Sequence, residues 1–181
     1  ASDVYKRQVE DVTLISTSKE DSSIPGDEVF TDNGTYKIRS DFNYSYVGMK
    51  GDIALKDNKT VIGFFPKADS SPNEKYVVYS VLSDNIVVYK GGNMTTLDIP
   101  AGTVAYDGTT RTTYGAIKTS FEMGDVLNIK KTNGNIDYVV YEKGNMQGPY
   151  TINSENNWAE TLGINSSTTC LLYTSDAADD S

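Results

Sequence analysis

The stretch "KYVVYSVLSDNIVVYK" (Lys75–Lys90) decides the fold class of this chain. Two runs of β-branched and aromatic residues flank Ser83-Asp84-Asn85, whose short polar side chains enter turn conformations at low cost. The pattern predicts a hairpin of Lys75–Leu82 against Ile86–Lys90. Working outward, "KGGN" (Lys90–Asn93) makes the next turn, and Met94–Ile99 reads as a further strand. Its Met94, Thr96 and Asp98 face the opposite way from Thr95, Leu97 and Ile99. Thr103–Tyr106 is a short strand closed by Asp107-Gly108. Thr112 and Thr113 suit helix N-caps, and Tyr114, Ile117 and Phe121 form one apolar stripe. A short helix near 113–121, ended by Gly124, is therefore expected. Asp125–Lys131 and Asn135–Glu142 make a second hairpin around Asn133-Gly134, a pair favoured where both turn residues need positive φ. Residues 75–143 thus read as four strands, a short helix and two strands. That order suits a small, strongly bent β-barrel of OB or SH3-like type.

The preceding part is less regular. Val12–Ser16, Gly34–Arg39, Gly51–Lys56 and Thr60–Phe65 are strand candidates, giving an incomplete β module over 9–66. The polar run Lys67–Asn73 reads as a linker, placed at 67–74. "GDIALKDNKTVIGFFP" from Gly51 echoes "GDVLNIKKTNGNIDYVVY" from Gly124, each being Gly-Asp, strand, polar turn, strand. Duplication and the general likeness of hairpins explain this equally well. Residues 144–169 begin another unit, with a strand start at Pro149–Ile152 and core candidates Trp158, Leu162 and Ile164. The fold class expected is mainly β: two small barrel or sheet modules, one short helix and a truncated third unit.

The two ends look like nothing between them. One allowed set of codons for Cys170–Asp179, reverse-complemented and shifted in frame, encodes Ala1–Arg7 and, with one further base, Gln8. That DNA resembles the transposase-end adapter used to prepare sequencing libraries. Residues 1–8 and 170–181 are therefore read as adapter-derived tails and set aside from fold reasoning, with both ends expected to be poorly packed. Setting them aside removes Lys6, Arg7, Asp3, Asp176, Asp179, Asp180 and the lone Cys170, and moves the formal charge from −9 to about −7.

An acidic balance argues against nucleic acid, whose binding rests on Lys and Arg displacing counterions, and against anionic membrane surfaces. No run of about 18 apolar residues exists, so no helical membrane insertion is expected. The chain has no histidine, which removes Ser-His-Asp and Cys-His sites in their usual form and the commonest zinc sites. No phosphate loop, dinucleotide fingerprint or HExxH occurs. Paired carboxylates are one remaining route to catalysis, but Asp52, Asp57, Asp84, Asp107 and Asp125 fall in turns or at strand ends, where carboxylates are usually solvated. "DSSIPGDE" (Asp21–Glu28) and "DNG" (Asp32–Gly34) carry oxygen ligands but lack the DxDxDG spacing of a calcium loop. Outside the tails stand eleven tyrosines: Tyr36, Tyr44, Tyr46, Tyr76, Tyr79, Tyr89, Tyr106, Tyr114, Tyr138, Tyr141 and Tyr150. Such rings either stack on sugars or, more commonly, form cross-strand pairs with a wet hydroxyl. Asn43 and Asn93 open Asn-x-Ser/Thr triplets of a kind frequent by chance in an Asn- and Thr-rich chain. No catalytic, cofactor-binding or metal-binding residue is assigned.

"TTYGAIK" (Thr112–Lys118), "MGDVLNIK" (Met123–Lys130), "GNIDYVVYEKG" (Gly134–Gly144) and "GPYTI" (Gly148–Ile152) resemble the β-rich region of S-layer homology (SLH) domain-containing proteins of Gram-positive bacteria. "YSYVGMKGDIALKDN" (Tyr44–Asn58) with "VIGF" (Val61–Phe64) resembles the unit before it. The likeness covers most of Gly34–Ile152 and rests on overall pattern rather than a catalytic signature. It implies an exported, wall-associated protein in which SLH repeats hold a cell-wall polymer and β modules serve as spacers. No SLH repeat lies in this chain, so anchoring falls to no residue here. The expectation is a non-enzymatic extracellular spacer segment without a cofactor. The alternative is a carbohydrate-binding module that uses surface tyrosines.

Overall fold

The computed structural model describes residues 6–144. The expected strand at Pro149–Ile152, the Trp158–Ile164 stretch and the tail from Cys170 lie outside the described residues. Among the described residues the fold is mainly β, with two sheets and one short α-helix. The first sheet holds β1 (Lys6–Thr17), β2 (Glu28–Thr31), β3 (Gly34–Lys37), β4 (Lys50–Lys56) and β5 (Thr60–Pro66). These close into a barrel in the order β1-β2-β3-β5-β4. The second holds β6 (Glu74–Val81), β7 (Ile86–Lys90), β8 (Asn93–Leu97), β9 (Val104–Asp107), β10 (Thr110–Thr113), β11 (Val126–Thr132) and β12 (Asn135–Glu142), with α1 (Tyr114–Ile117) between β10 and β11. Its order is β10-β9-β12-β11-β6-β7-β8.

Closure of the first sheet depends on β1. Its early residues pair with β4 from Lys6↔Lys56 to Thr13↔Lys50, and its later ones with β2 from Leu14↔Thr31 to Thr17↔Val29. Bulges between Val9 and Val12 and between Leu14 and Ser16 bend the strand, and Asp11 takes φ 57° at the first of them. A bent strand serving two neighbours is what a small barrel needs. The five described strands of the first module therefore close into a barrel, a closure the sequence did not show. The hidden part was the first half of β1, which is polar and mostly exposed. Residues 6–8, expected to belong to a poorly packed tail, extend that strand instead. Ladder bonds use backbone groups, so any chain continuing β1 opposite β4 can form them.

The expected barrel at 75–143 is an open sheet whose edges are β8 and β10. Both edges are largely exposed, and neither has a buried face to draw it across to the other. The Lys75–Lys90 hairpin forms as expected, with Val81↔Ile86 nearest the turn and Val77↔Tyr89 further along. Thr113 is the helix N-cap, its hydroxyl accepting from the Ala116 N–H at 3.3 Å. The α-helix is shorter than expected because the chain tightens into a 3-10 turn at Lys118–Ser120. That change lets Phe121 drop into the core beside Tyr114 and stack on Tyr141, with ring centroids 5.1 Å apart.

β11 decides how the two sheets relate. Val126–Lys130 are buried without a break, whereas a strand with one wet face alternates. Leu127, Ile129 and Val139 point to the sheet's own core, with Tyr76, Val78 and the helix. The opposite parity, including Tyr138 and Val140, packs with Tyr106 and Ile15 of the barrel, and Phe30 joins this cluster. The barrel thus packs on the second face of the sheet at β9 and β12. Segment 67–73 is tied to both sides: Ser70 Oγ accepts from the Lys50 N–H at 2.7 Å, and the Lys130 ammonium donates to the Ser71 carbonyl at 2.9 Å. Gly48 (φ +96°) lets Asn73 come close, since a Cβ there would meet the Asn73 nitrogen at 2.5 Å.

Candidate functional site

The residues most able to do chemistry lie where barrel and sheet meet. An apolar patch comes first. Phe30 of β2 meets Tyr106 of β9 edge-on at 5.6 Å, and Tyr106 meets Tyr138 of β12 edge-on at 5.5 Å. Offset and edge-to-face pairs of this kind contribute about 0.5–1.5 kcal/mol each beyond the area they bury. The Tyr138 hydroxyl and Oδ1 of Asn73 are both buried and lie next to each other at the junction. Burial, then the neighbouring Tyr106, pushes the Tyr138 phenol well above its ordinary range.

Beside this patch is a polar cluster drawn from three adjacent strands. Asn128 of β11 sits directly opposite Lys75 of β6 in the ladder, so both side chains leave the same face. Glu142 of β12 is opposite Val126, one diagonal step from Asn128 on that face. Its Oε1 accepts from Lys75 Nζ at 3.1 Å and from Asn128 Nδ2 at 3.1 Å. Asn128 Nδ2 also reaches the Val140 carbonyl at 3.4 Å. Asn128 is almost wholly buried and Glu142 nearly so, while the Lys75 side chain is 42% exposed. Lys75 and Asn128 line a cavity of about 200 Å³ together with Glu20, Tyr44 and Val47 of the barrel. Glu20 accepts from the Thr17 N–H and hydroxyl, both at 2.8 Å. Burial raises its pKa, and the Thr17 hydroxyl and the Lys75 charge pull it part of the way back.

A wider cleft of about 620 Å³ opens further along, with Lys50, Lys67, Lys130 and Lys131 on its walls. Asp69 and Asp137 line the same cleft and offset part of this charge. Lys67 pairs with Asp11 at 3.4 Å and Asp52 at 3.3 Å, and Lys131 pairs with Glu74 at 3.4 Å. Burial lowers the Lys130 pKa, and its ammonium is spent on the Ser71 carbonyl.

The carboxylates singled out in the sequence are not brought together. Asp52 accepts from the Asp11 N–H at 3.1 Å, and this bond, with help from Lys67, holds its pKa below the usual value. Asp57 sits in the β4–β5 turn at φ 56°, and Asp84 and Asp107 are exposed. Asp125 differs from the solvated expectation. It is buried and accepts from Glu122 N at 2.9 Å, Tyr141 Oη at 2.8 Å and Gly144 N at 2.9 Å. Asp21 spends Oδ1 on the Ser23 N–H and hydroxyl, while Asp27 and Glu28 pair with Lys37. Asp32 accepts from the Thr13 N–H at 2.9 Å. Among the described residues no group of three or more His, Cys, Asp or Glu side chains is arranged to hold a metal ion.

None of the ten described tyrosines is exposed; each is buried or half-buried. Tyr79 and Tyr89 meet edge-on at 5.7 Å, in the cross-strand manner expected of sheet packing. Asn43 caps the 3-10 turn at Tyr44–Tyr46 by accepting from Ser45 N at 3.0 Å. The Lys75–Asn128–Glu142 cluster was missed in the sequence. Its one signal is Asn128, a polar residue inside "VLNIK", where a buried strand is otherwise apolar. No helix among the described residues is long and apolar enough to cross a membrane. The chain matches no protein-family model and no curated protein.

Proposed function

We propose that this chain is a non-catalytic structural segment of a bacterial cell-surface protein. In this reading it acts as an extracellular spacer. The protein containing it holds a cell-wall polymer through SLH repeats that lie elsewhere. The observation that supports a spacer is that the central strands of the sheet are buried on both faces, the second against the barrel through Ile15, Phe30, Tyr106, Tyr138 and Val140. Two modules joined by such a face transmit load as one body, whereas modules joined only by a linker swivel. A sugar-binding module would want an exposed row of rings, and the described tyrosines present none.

Single-molecule pulling between residues 9 and 143 tests the mechanical part. Barrel and sheet are expected to unfold in one event. Early, separate release of the barrel would remove the spacer argument. The genomic sequence across both borders tests the setting. An export signal and SLH repeats in the same reading frame are expected, with different residues in place of 1–8 and 170–181.

A further inference from the structure

We propose that Lys75 and Asn128 become joined by an intramolecular isopeptide bond, with Glu142 as the catalytic proton carrier. The proposal stands on strand geometry and goes beyond the spacer reading. An amine, a carboxamide and a carboxylate meet on one face of three neighbouring strands, and a single carboxylate oxygen touches both nitrogens at 3.1 Å. Directly opposed cross-strand residues have Cβ atoms about 5 Å apart, a span that a lysine side chain bridges to reach an asparagine Cγ. The carboxamide is buried in the ladder and fixed by a second bond to the Val140 carbonyl. The barrel residues Glu20, Tyr44 and Val47 roof the cavity that amine and carboxamide share, which limits competing attack by water.

The reaction balances without an added reagent. The Lys75 ammonium gives a proton to Glu142, and the freed Nζ lone pair attacks Cγ of Asn128. Glu142 passes its proton to Nδ2, the Cγ–Nδ2 bond breaks, and ammonia leaves. The remaining extra proton on Nζ departs with the ammonia as ammonium. One C–N bond forms, one breaks, and nothing is oxidised or reduced. A half-exposed lysine supplies the amine, and the path for ammonia to leave is the same opening. The product staples β6, the first strand of the second sheet, to β11 near its end, across a loop that contains most of that sheet.

Intact-mass spectrometry of the purified chain, repeated over days of incubation, tests this. The expected result is a mass lower than the sequence value by one ammonia, with a branched peptide joining Lys75 to Asn128 after digestion. Lys75→Arg, Asn128→Ala and Glu142→Gln should each restore the full mass. Should a variant fail to fold, the unaltered chain alone still decides the matter. A mass equal to the sequence value at every time overturns the proposal. So does an ammonia deficit that maps to a hydroxylamine-sensitive succinimide while Lys75 stays free to acylating reagents. Either outcome leaves the spacer reading standing, because the pulling experiment does not depend on the cross-link.

Discussion

Asp125→Ala is the sharpest test of what holds the second sheet to its helix. Asp125 stands where the chain leaves the 3-10 turn and enters β11. Its carboxylate gathers the Glu122 N–H, the Tyr141 hydroxyl and the Gly144 N–H at 2.8–2.9 Å. Its own backbone is bound in turn, with its N–H donating to Glu122 O at 3.0 Å and its carbonyl accepting from Val78 N at 2.8 Å. The side chain therefore ties the end of the helical segment, the start of β11 and the end of β12 together. A hydrogen bond to a charged group contributes about 1.5–3 kcal/mol net. The three here are part-buried, so water can satisfy some of the stranded donors. Taking the low end of that range for each gives a loss of about 4.5 kcal/mol for Asp125→Ala. Asp125→Asn keeps one acceptor oxygen, and the Tyr141 hydroxyl can rotate to accept, so its loss should be about half as large. Urea denaturation followed by far-UV circular dichroism measures both. The Tyr141 phenol provides a second reading. Burial and the hydrogen bond to Asp125 hold its pKa far above the ordinary value, and loss of the Asp125 charge should bring it down. An unchanged denaturation midpoint for Asp125→Ala, or equal losses for Ala and Asn, would refute the reasoning.

Two further outcomes follow from the same core and from the junction. Phe121 packs on Tyr114 and Tyr141, with ring centroids at 5.9 Å and 5.1 Å; Phe121→Ala should cost about 3 kcal/mol, as for a buried aromatic, and chemical denaturation with no shift would count against the packing described. Glu20 has a folded pKa raised above 4.5 by burial, so the folded state holds its proton more tightly than the unfolded chain. Stability should therefore fall as pH rises from about 4.5 through the raised folded value, and Glu20→Gln should flatten that stretch of the profile while still accepting from Thr17. An unaltered slope in the Gln variant would show that another group sets it.

The sequence by itself determined the strands whose side chains alternate over a sharp turn. The Lys75–Lys90 hairpin, the Asn133-Gly134 hairpin and the Thr113 cap are local matters of β-branching, turn chemistry and a hydroxyl in reach of a free N–H. It did not show β2 or β10, which are four residues long and held by their partners rather than by pattern. It hid the first half of β1, because a strand that exposes its side chains and binds by backbone leaves no apolar trace. Tertiary structure alone decided that the first module closes while the second stays open, and that the barrel lies on the far face of the sheet. That choice explains the unbroken burial of Val126–Lys130, which no local rule would assign to a hairpin strand. It also decided the meeting of Lys75, Asn128 and Glu142. Residues far apart in the chain become neighbours only through strand order and register, and register is fixed by which face each strand must bury.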